Sequence, residues 1–478
     1  MTVDVTPPPA QKDLHIAPML DVSKTEFLAF MRILSSRVVL WTEMIVDETI
    51  VHTPNLDSYL KFDSALHPII CQIGGRSPVH CGVAVDKVQS YGYQEVNLNI
   101  DCPSNRVCLG KIKFGAILMQ QVDTATQVIR AMKENATNIP ISIKTRVGID
   151  EFDTLDHLIG FIAQMVEAGC SHFVIHARKC ILGGLLTPAQ NRLVPPLNYP
   201  RVYALCHAFP DCTFVLNGGI PGLEAARNLV STSTAGVECE FDGGKKEQHA
   251  VPCTICNAPN GSCTAPPSPH APLNLVGCML GRAAMDNPSM FWDVDRYFYG
   301  LSSNPCRNRL EVFERYCQYL ERTYPRRCCD DDERITRMIP APDIDLKGVG
   351  GCQLCCEYYG ESSMPIAPIA GSLDFQKPPV IQKIHSCVIE RSLKPIHGIF
   401  FGMPKSKTFK RSLDTLSRDG SVRNCGPGYI LRRAMQSIPN ELLEREFVKT
   451  EDLEEGDIPV HVSPKVGVNS NSISPCCS

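Results

Sequence analysis

The amino-acid sequence predicts an α/β fold: a (β/α)8 TIM barrel followed by a smaller C-terminal helical domain. Three observations carry the prediction. Eight short apolar runs, rich in β-branched residues, recur at 15–19, 38–44, 69–73, 95–100, 141–146, 172–176, 213–217 and 277–281. Helical-period stretches at 25–34, 79–90, 122–134, 155–167 and 223–230 lie between them, the alternation expected of parallel β/α units. Each run also ends in polar or special residues, which in a barrel marks the C-terminal rim where ligands bind.

Taken in order, the first run ends in Ala17-Pro18-Met19, the second in Glu43, the third in Gln72 and the fourth in Asn97 and Asn99. The fifth ends in Lys144 and Arg146, the sixth in His176 and Arg178, the seventh in Asn217-Gly218-Gly219 and the eighth in Gly281-Arg282. Strand alternation puts residues i and i+2 on one face, so Lys144 shares a side with Arg146, and Asn97 with Asn99. Beyond the barrel, 309–322 and 430–447 read as amphipathic helices. The expected layout is an N-terminal tail at 1–13, the barrel at 14–300, the helical domain at 301–447 and an acidic tail at 448–478. Two segments rich in Pro, Gly and Cys, 238–272 and about 328–375, have no sustained period and are expected to be insertions.

The formal net charge of −4 says nothing of nucleic acid, but its distribution does. Between Arg391 and Arg433 ten Lys/Arg face two Asp, whereas 441–457 carries eight acids against Arg445 and Lys449. That asymmetry predicts a basic binding surface followed by an acidic tail. No apolar run approaches the roughly 18–20 residues of a membrane span. The opening MTVDVTPPPA has neither the basic nor the apolar segment of a secretory leader. A cytoplasmic location is therefore expected, with most of the 24 cysteines as free thiols.

Several rim residues suggest chemistry. Asn217-Gly218-Gly219 and Gly281-Arg282, at the seventh and eighth strand ends, resemble a phosphate site, because glycines let backbone N–H groups approach an anion and Arg282 adds charge. The alternative is a plain turn. Lys144, Arg146 and His176 form a basic cluster on the same rim, readable also as a structural ion-pair layer. Cys102 lies in a loop just past the fourth strand, where a thiol with an ordinary pKa near 8.5 is protonated at neutral pH and can act as an acid. Cys253, Cys256 and Cys263, with His249 and His270 nearby, match no strong zinc spacing, nor do Cys352, Cys355 and Cys356. No metal is expected.

Taken together these residues resemble the tRNA-dihydrouridine synthase family. The matching motifs, in chain order, are Ala17-Pro18-Met19, Thr42-Glu43-Met44, Gln72-Ile73-Gly74-Gly75, Asn97-Leu98-Asn99 with Cys102-Pro103-Ser104, and Phe114-Gly115-Ala116 with Leu118-Met119. They continue through Lys144-Thr145-Arg146-Val147-Gly148, Ile175-His176-Ala177-Arg178-Lys179, Asn217-Gly218-Gly219 and Gly281-Arg282 with Asn287-Pro288. They span 15–298 and resume at about 390–440, and the stretches 185–197 and 402–411 resemble the A-type branch, which modifies uridines 20 and 20a of the tRNA D-loop.

The resemblance implies FMN as cofactor and NADPH as reductant. By position, Ala17, Pro18, Met19, Gln72, Lys144, His176, Asn217, Gly218, Gly219, Gly281 and Arg282 would bind FMN. Cys102 would protonate uracil C5 after hydride reaches C6 from FMN N5. Asn99, Arg146, Arg192, Lys407 and Lys410 would contact tRNA, whose target base is flipped out of its stack. A monomer is expected. The chain departs from the family pattern where Asp101 replaces a glycine before the cysteine, where Ala189 replaces a basic residue, where Lys407 and Lys410 replace arginines, and by two extra residues between Arg106 and Gly115. A carboxylate at 101 should raise the pKa of the neighbouring thiol. The competing readings are an FMN barrel oxidoreductase acting on a small substrate, a tRNA-binding homologue with weakened catalysis, and a zinc module built on the insertions.

Overall fold

A computed structural model describes residues 12–110, 112–182, 187–231, 271–324, 386–423 and 425–450. The segments 238–270 and 328–375, with the candidate zinc cysteines, and the acidic tail beyond 450 lie outside the described residues.

Nine parallel strands form the sheet: β1 Asp13–Ile16, β2 Leu40–Trp41, β3 Ile45–Val46, β4 Ile69–Gly74, β5 Glu95–Ile100, β6 Ile141–Arg146, β7 His172–His176, β8 Thr213–Asn217 and β9 Leu275–Leu280. Their order is β1-β9-β8-β7-β6-β5-β4-β2, with β3 continuing beside β4. A single parallel bridge between His15 and Val39 closes β1 onto the second-strand segment, so the sheet becomes a barrel. Apart from β2 and β3, which follow one another directly, helices separate the strands in sequence, as the alternation predicts. Their starts are capped where side-chain oxygens take orphan N–H groups: Ser77 accepts from His80, Thr154 from His157, and Asn198 from Arg201.

Four expectations need correction. The first strand stops at Ile16, ahead of Pro18, which has no N–H to donate to a ladder. The run 38–44 holds only the two-residue strand β2, with β3 following just past its end, and between them the Gln72 N–H is taken by the Thr42 hydroxyl at 3.0 Å rather than by a strand carbonyl. The eighth predicted strand begins two residues earlier, at Leu275. The helix expected over 430–447 is two, Pro427–Met435 and Asn440–Glu444, divided at Pro439.

The C-terminal helices Arg309–Thr323, Ser386–Leu393, Ser406–Arg418 and Pro427–Met435 pack around Phe313, Phe400 and Phe409, whose rings lie 5.1 to 5.8 Å apart. Arg432 ties this group together by bonding both Glu314 and Glu321. It docks on the barrel helix Thr25–Leu34, where Tyr324 and Arg391 both bond the buried Glu26 carboxylate and Phe30 meets Tyr316 edge-on at 5.0 Å. Of the thirteen described cysteines, all but Cys102 and Cys387 are buried.

Candidate active site at the barrel mouth

The ends of β4, β5 and β6 are laced by amides inside the barrel. Gln72 donates to Asn97 Oδ1 at 2.9 Å, Asn97 donates to Ser142 Oγ at 2.7 Å, and Asn99 donates to Gln72 Oε1 at 2.9 Å. All four side chains are buried. Asn99 Oδ1 also accepts the backbone N–H groups of Asp101, at 3.2 Å, and Cys102, at 2.9 Å, and so turns the chain off the strand. With 6% exposure and both amide atoms bonded, Asn99 is not open to a direct tRNA contact in this structure. It holds the loop instead.

That turn carries Asp101 into the rim. Its carboxylate meets Lys144 Nζ, Arg146 Nε at 2.7 Å and His176 Nδ1 at 3.2 Å. Burial alone would raise the Asp101 pKa, but Lys144 first, then Arg146 and His176, hold it well below the usual carboxylate range. The basic cluster expected from sequence is therefore one anion's coordination shell. His176 differs from expectation: burial, helped by Arg146, lowers its pKa to about 3, so it is a neutral ring at neutral pH. Arg146 is 1% exposed, and its guanidinium also bonds the carbonyls of Asp101, Lys179 and Asn191. With so little of it exposed and its Nε and Nη1 bonded to the loops after β5 and β7, Arg146 is not open to a direct tRNA contact in this structure.

Cys102 follows at the loop's crest, partly exposed. Its carbonyl accepts from the Ala116 N–H at 3.1 Å and the Cys108 thiol at 3.0 Å, which seats the loop on the following segment. Burial raises the thiol pKa, and Asp101 adds to the rise as the adjacent carboxylate should. Cys102 is therefore held protonated at neutral pH.

Across the mouth, Asn217 bonds the Met279 carbonyl at 2.8 Å and ties β8 to β9. Gly218 and Gly219 have φ of 120° and 65°, and a Cβ there would come within 2.8 Å of His176 and 2.4 Å of Leu197. Only glycine lets this turn lie so close to its neighbours. Ala17 donates its N–H to Leu280 beside Gly281, and Met19 donates to Ser23 Oγ, so Ala17, Pro18 and Met19 edge the seam between β1 and β9. Arg282 reaches the Arg192 carbonyl at 3.5 Å. Burial and then Arg282 lower the pKa values of both Arg178 and Arg192. Among the described residues, none of these three arginines has a carboxylate at ion-pair distance. A cluster of cations without counter-charge suits an anionic ligand.

Lys407 and Lys410 stand elsewhere, exposed on the helix Ser406–Arg418, which buries Phe409 and Leu413 on its other face. That helix packs on its neighbours Pro427–Met435 and Ser386–Leu393. Sequence reasoning noticed Asp101 but not its partners. The register that sets Asn99 against Lys144 was the signal, because it places the start of the loop beside the basic strand. It also missed Glu48, His52 and His80, two helices' side chains whose donor atoms all lie within 4.8 Å of one another.

The dihydrouridine synthase family model matches residues 15–238. The tRNA-dihydrouridine(20/20a) synthase of Vibrio cholerae is 35% identical over 310 residues, 65% of this chain and 80% of that protein. The enzyme of the same name from Escherichia coli K12 is 34% identical over 321 residues, 66% of this chain and 79% of that protein.

Proposed function

The chain belongs to the dihydrouridine synthase family, and from that premise we propose that it reduces uridine in tRNA to 5,6-dihydrouridine, with Cys102 as the acid. The observation that carries this reading is the convergence of a protonated thiol, a strand-borne amide network and a set of cations on one barrel mouth. Position 20 or 20a of the D-loop is the target suggested by the relatives' names.

The residues present fit FMN. Arg178 and Arg282, with the close Gly218-Gly219 turn, suit its phosphate, and Gln72, Lys144 and His176 suit the polar edge of its ring. Ala17, Pro18, Met19, Asn217 and Gly281 complete the surrounding wall. Bound FMN would supply the hydride that reaches uracil C6, with NADPH restoring it. The protein's own steps are to orient the base and to give a proton. Cys102 passes its thiol proton to C5 and is reprotonated from solvent, so the C5–C6 bond gains one hydride and one proton. Arg146 and Asn99 hold the thiol's loop in place during that transfer.

The tRNA body would rest on the basic helical region, 301–447, through Lys407 and Lys410, and Arg192 would meet the flipped nucleotide at the mouth. The barrel, 14–300, would hold the chemistry, in a monomer working in a tRNA-containing compartment such as the cytoplasm. Among the described residues no helix is long and apolar enough to cross a membrane. One observation favours a second reading, a tRNA-binding homologue with weakened catalysis: Asp101 already engages Lys144 and His176.

Two measurements on the purified protein test the proposal: its flavin spectrum, and its conversion of uridine in tRNA lacking dihydrouridine. Yellow protein with dihydrouridine formed is the expected result. Colourless protein that takes up no FMN removes the flavoenzyme reading, and flavin reduction without product favours the second reading.

A further inference from the structure

Asp101 sits one residue past β5, between Lys144 and Arg146 on β6 and His176 on β7. Its side chain is 15% exposed, against 4%, 2% and 9% for its three partners. The two cations and the imidazole N–H are mounted on strand backbones, so they are preorganised around a single anion. The main chain of Asp101 is held separately. Its N–H donates to Asn99 Oδ1 at 3.2 Å, and its carbonyl accepts from Arg146 Nε at 3.0 Å. The carboxylate is thus the one exchangeable part. It can rotate away from Lys144 and His176 without releasing the loop that carries Cys102.

We propose that Asp101 is a built-in occupant of this cation site, which FMN must displace, and that it thereby sets the affinity of the chain for the cofactor. The inference rests on the flavin reading above. An electron-rich ring edge and a carboxylate compete for the same Lys144 ammonium and His176 N–H, and the protein's own anion is present at an effective concentration no free ligand reaches. The same carboxylate stabilises the cofactor-free barrel, because it is the carboxylate at ion-pair distance from the buried Lys144 and Arg146 among the described residues. Asp101 therefore trades cofactor affinity for stability of the empty mouth, and removing it should move the two properties in opposite directions.

The test uses the full-length protein and its Asp101→Asn and Asp101→Gly variants. FMN binding is titrated by fluorescence quenching, and thermal unfolding is followed with and without FMN. Without FMN the variants should melt below the parent. FMN should nonetheless bind them at least about tenfold more tightly and raise their melting temperature by more than it raises the parent's. A residue with only a structural role would lower stability and leave affinity unchanged or weaker, and that result overturns the proposal. Should the glycine variant fail to fold, the asparagine variant, which keeps an acceptor for Lys144, carries the measurement. If no protein of the set binds FMN, the flavin reading itself is lost, whereas equal affinity across the set removes only the role given to Asp101.

Discussion

Asn99 Oδ1 accepts the backbone N–H of Cys102 at 2.9 Å, so the last inward amide of β5 directly holds the residue expected to give the proton. Replacing it orphans the N–H groups of Asp101 and Cys102 and the Gln72 carbonyl oxygen together. Asn99→Ala should cost about 1–3 kcal/mol of stability. It should also slow uridine reduction by about tenfold or more, because a displaced acid loses its alignment. Urea unfolding and single-turnover rates on FMN-loaded protein check this. An unchanged rate would show that the loop does not depend on Asn99.

Cys102→Ala removes the thiol and little else, since its backbone carbonyl and N–H keep their partners. FMN binding and NADPH oxidation should persist, while dihydrouridine formation drops by about 10²-fold or more. Because burial raises the thiol pKa, with Asp101 adding to it, the rate should hold through neutral pH and fall only on the alkaline side. Mass spectrometry of the tRNA product across pH measures both. Wild-type yield from the variant would assign the acid elsewhere.

Acid should unfold this barrel early. Trp41 Nε1 donates to His15 Nδ1 at 3.1 Å, and an indole N–H can only donate, so His15 is neutral there. Burial lowers its pKa to about 3, as it does for His176. Both groups are depressed bases, neutral when folded and protonated when unfolded between pH 6.5 and about 3. The unfolded chain therefore binds more protons in that window, and stability falls as pH falls through it. Each histidine contributes a slope of about 1.4 kcal/mol per pH unit. Asp101, with its depressed pKa, adds a loss only below the usual carboxylate range. Urea midpoints at pH 7.5 and 5.5 read the slope, and His15→Gln should reduce it. A flat profile would contradict the neutral assignment.

Lys407 and Lys410 lie exposed on a helix whose buried side is Phe409 and Leu413. The double alanine variant should leave the melting temperature unchanged. It should weaken tRNA binding uniformly across tRNA sequences and reduce the slope of log affinity against log salt by about 1.4–1.8, the value for two lost phosphate contacts. Filter binding at several salt concentrations checks the slope. An undiminished slope would move the tRNA surface away from this helix.

Much of the barrel was legible because its signals are local. The strands β5, β6, β7 and β8 coincide with the apolar runs residue for residue, since β-branched runs and flanking polar ends are properties of neighbouring positions. The misjudged stretches fail for identifiable reasons. A Thr42 hydroxyl competes with a strand carbonyl, and Pro439 interrupts a pattern that is apolar on both sides of it. Of the site, the residues Cys102, Lys144, Arg146, His176 and the Gly218-Gly219 turn were nameable, but not that Lys144, Arg146 and His176 all close on Asp101. His176 reads as a cation from its residue type and is neutral in place.

The sequence by itself determined the alternation of strands and helices, the polar residues at strand ends and the family to which they belong. Only the tertiary structure decided that Asp101 closes on Lys144, 43 residues away, and on His176, 75 residues away. Periodicity encodes which face a side chain takes. The energy of a buried charge depends instead on which distant groups the barrel's register brings within a few ångströms, and no local pattern records that distance.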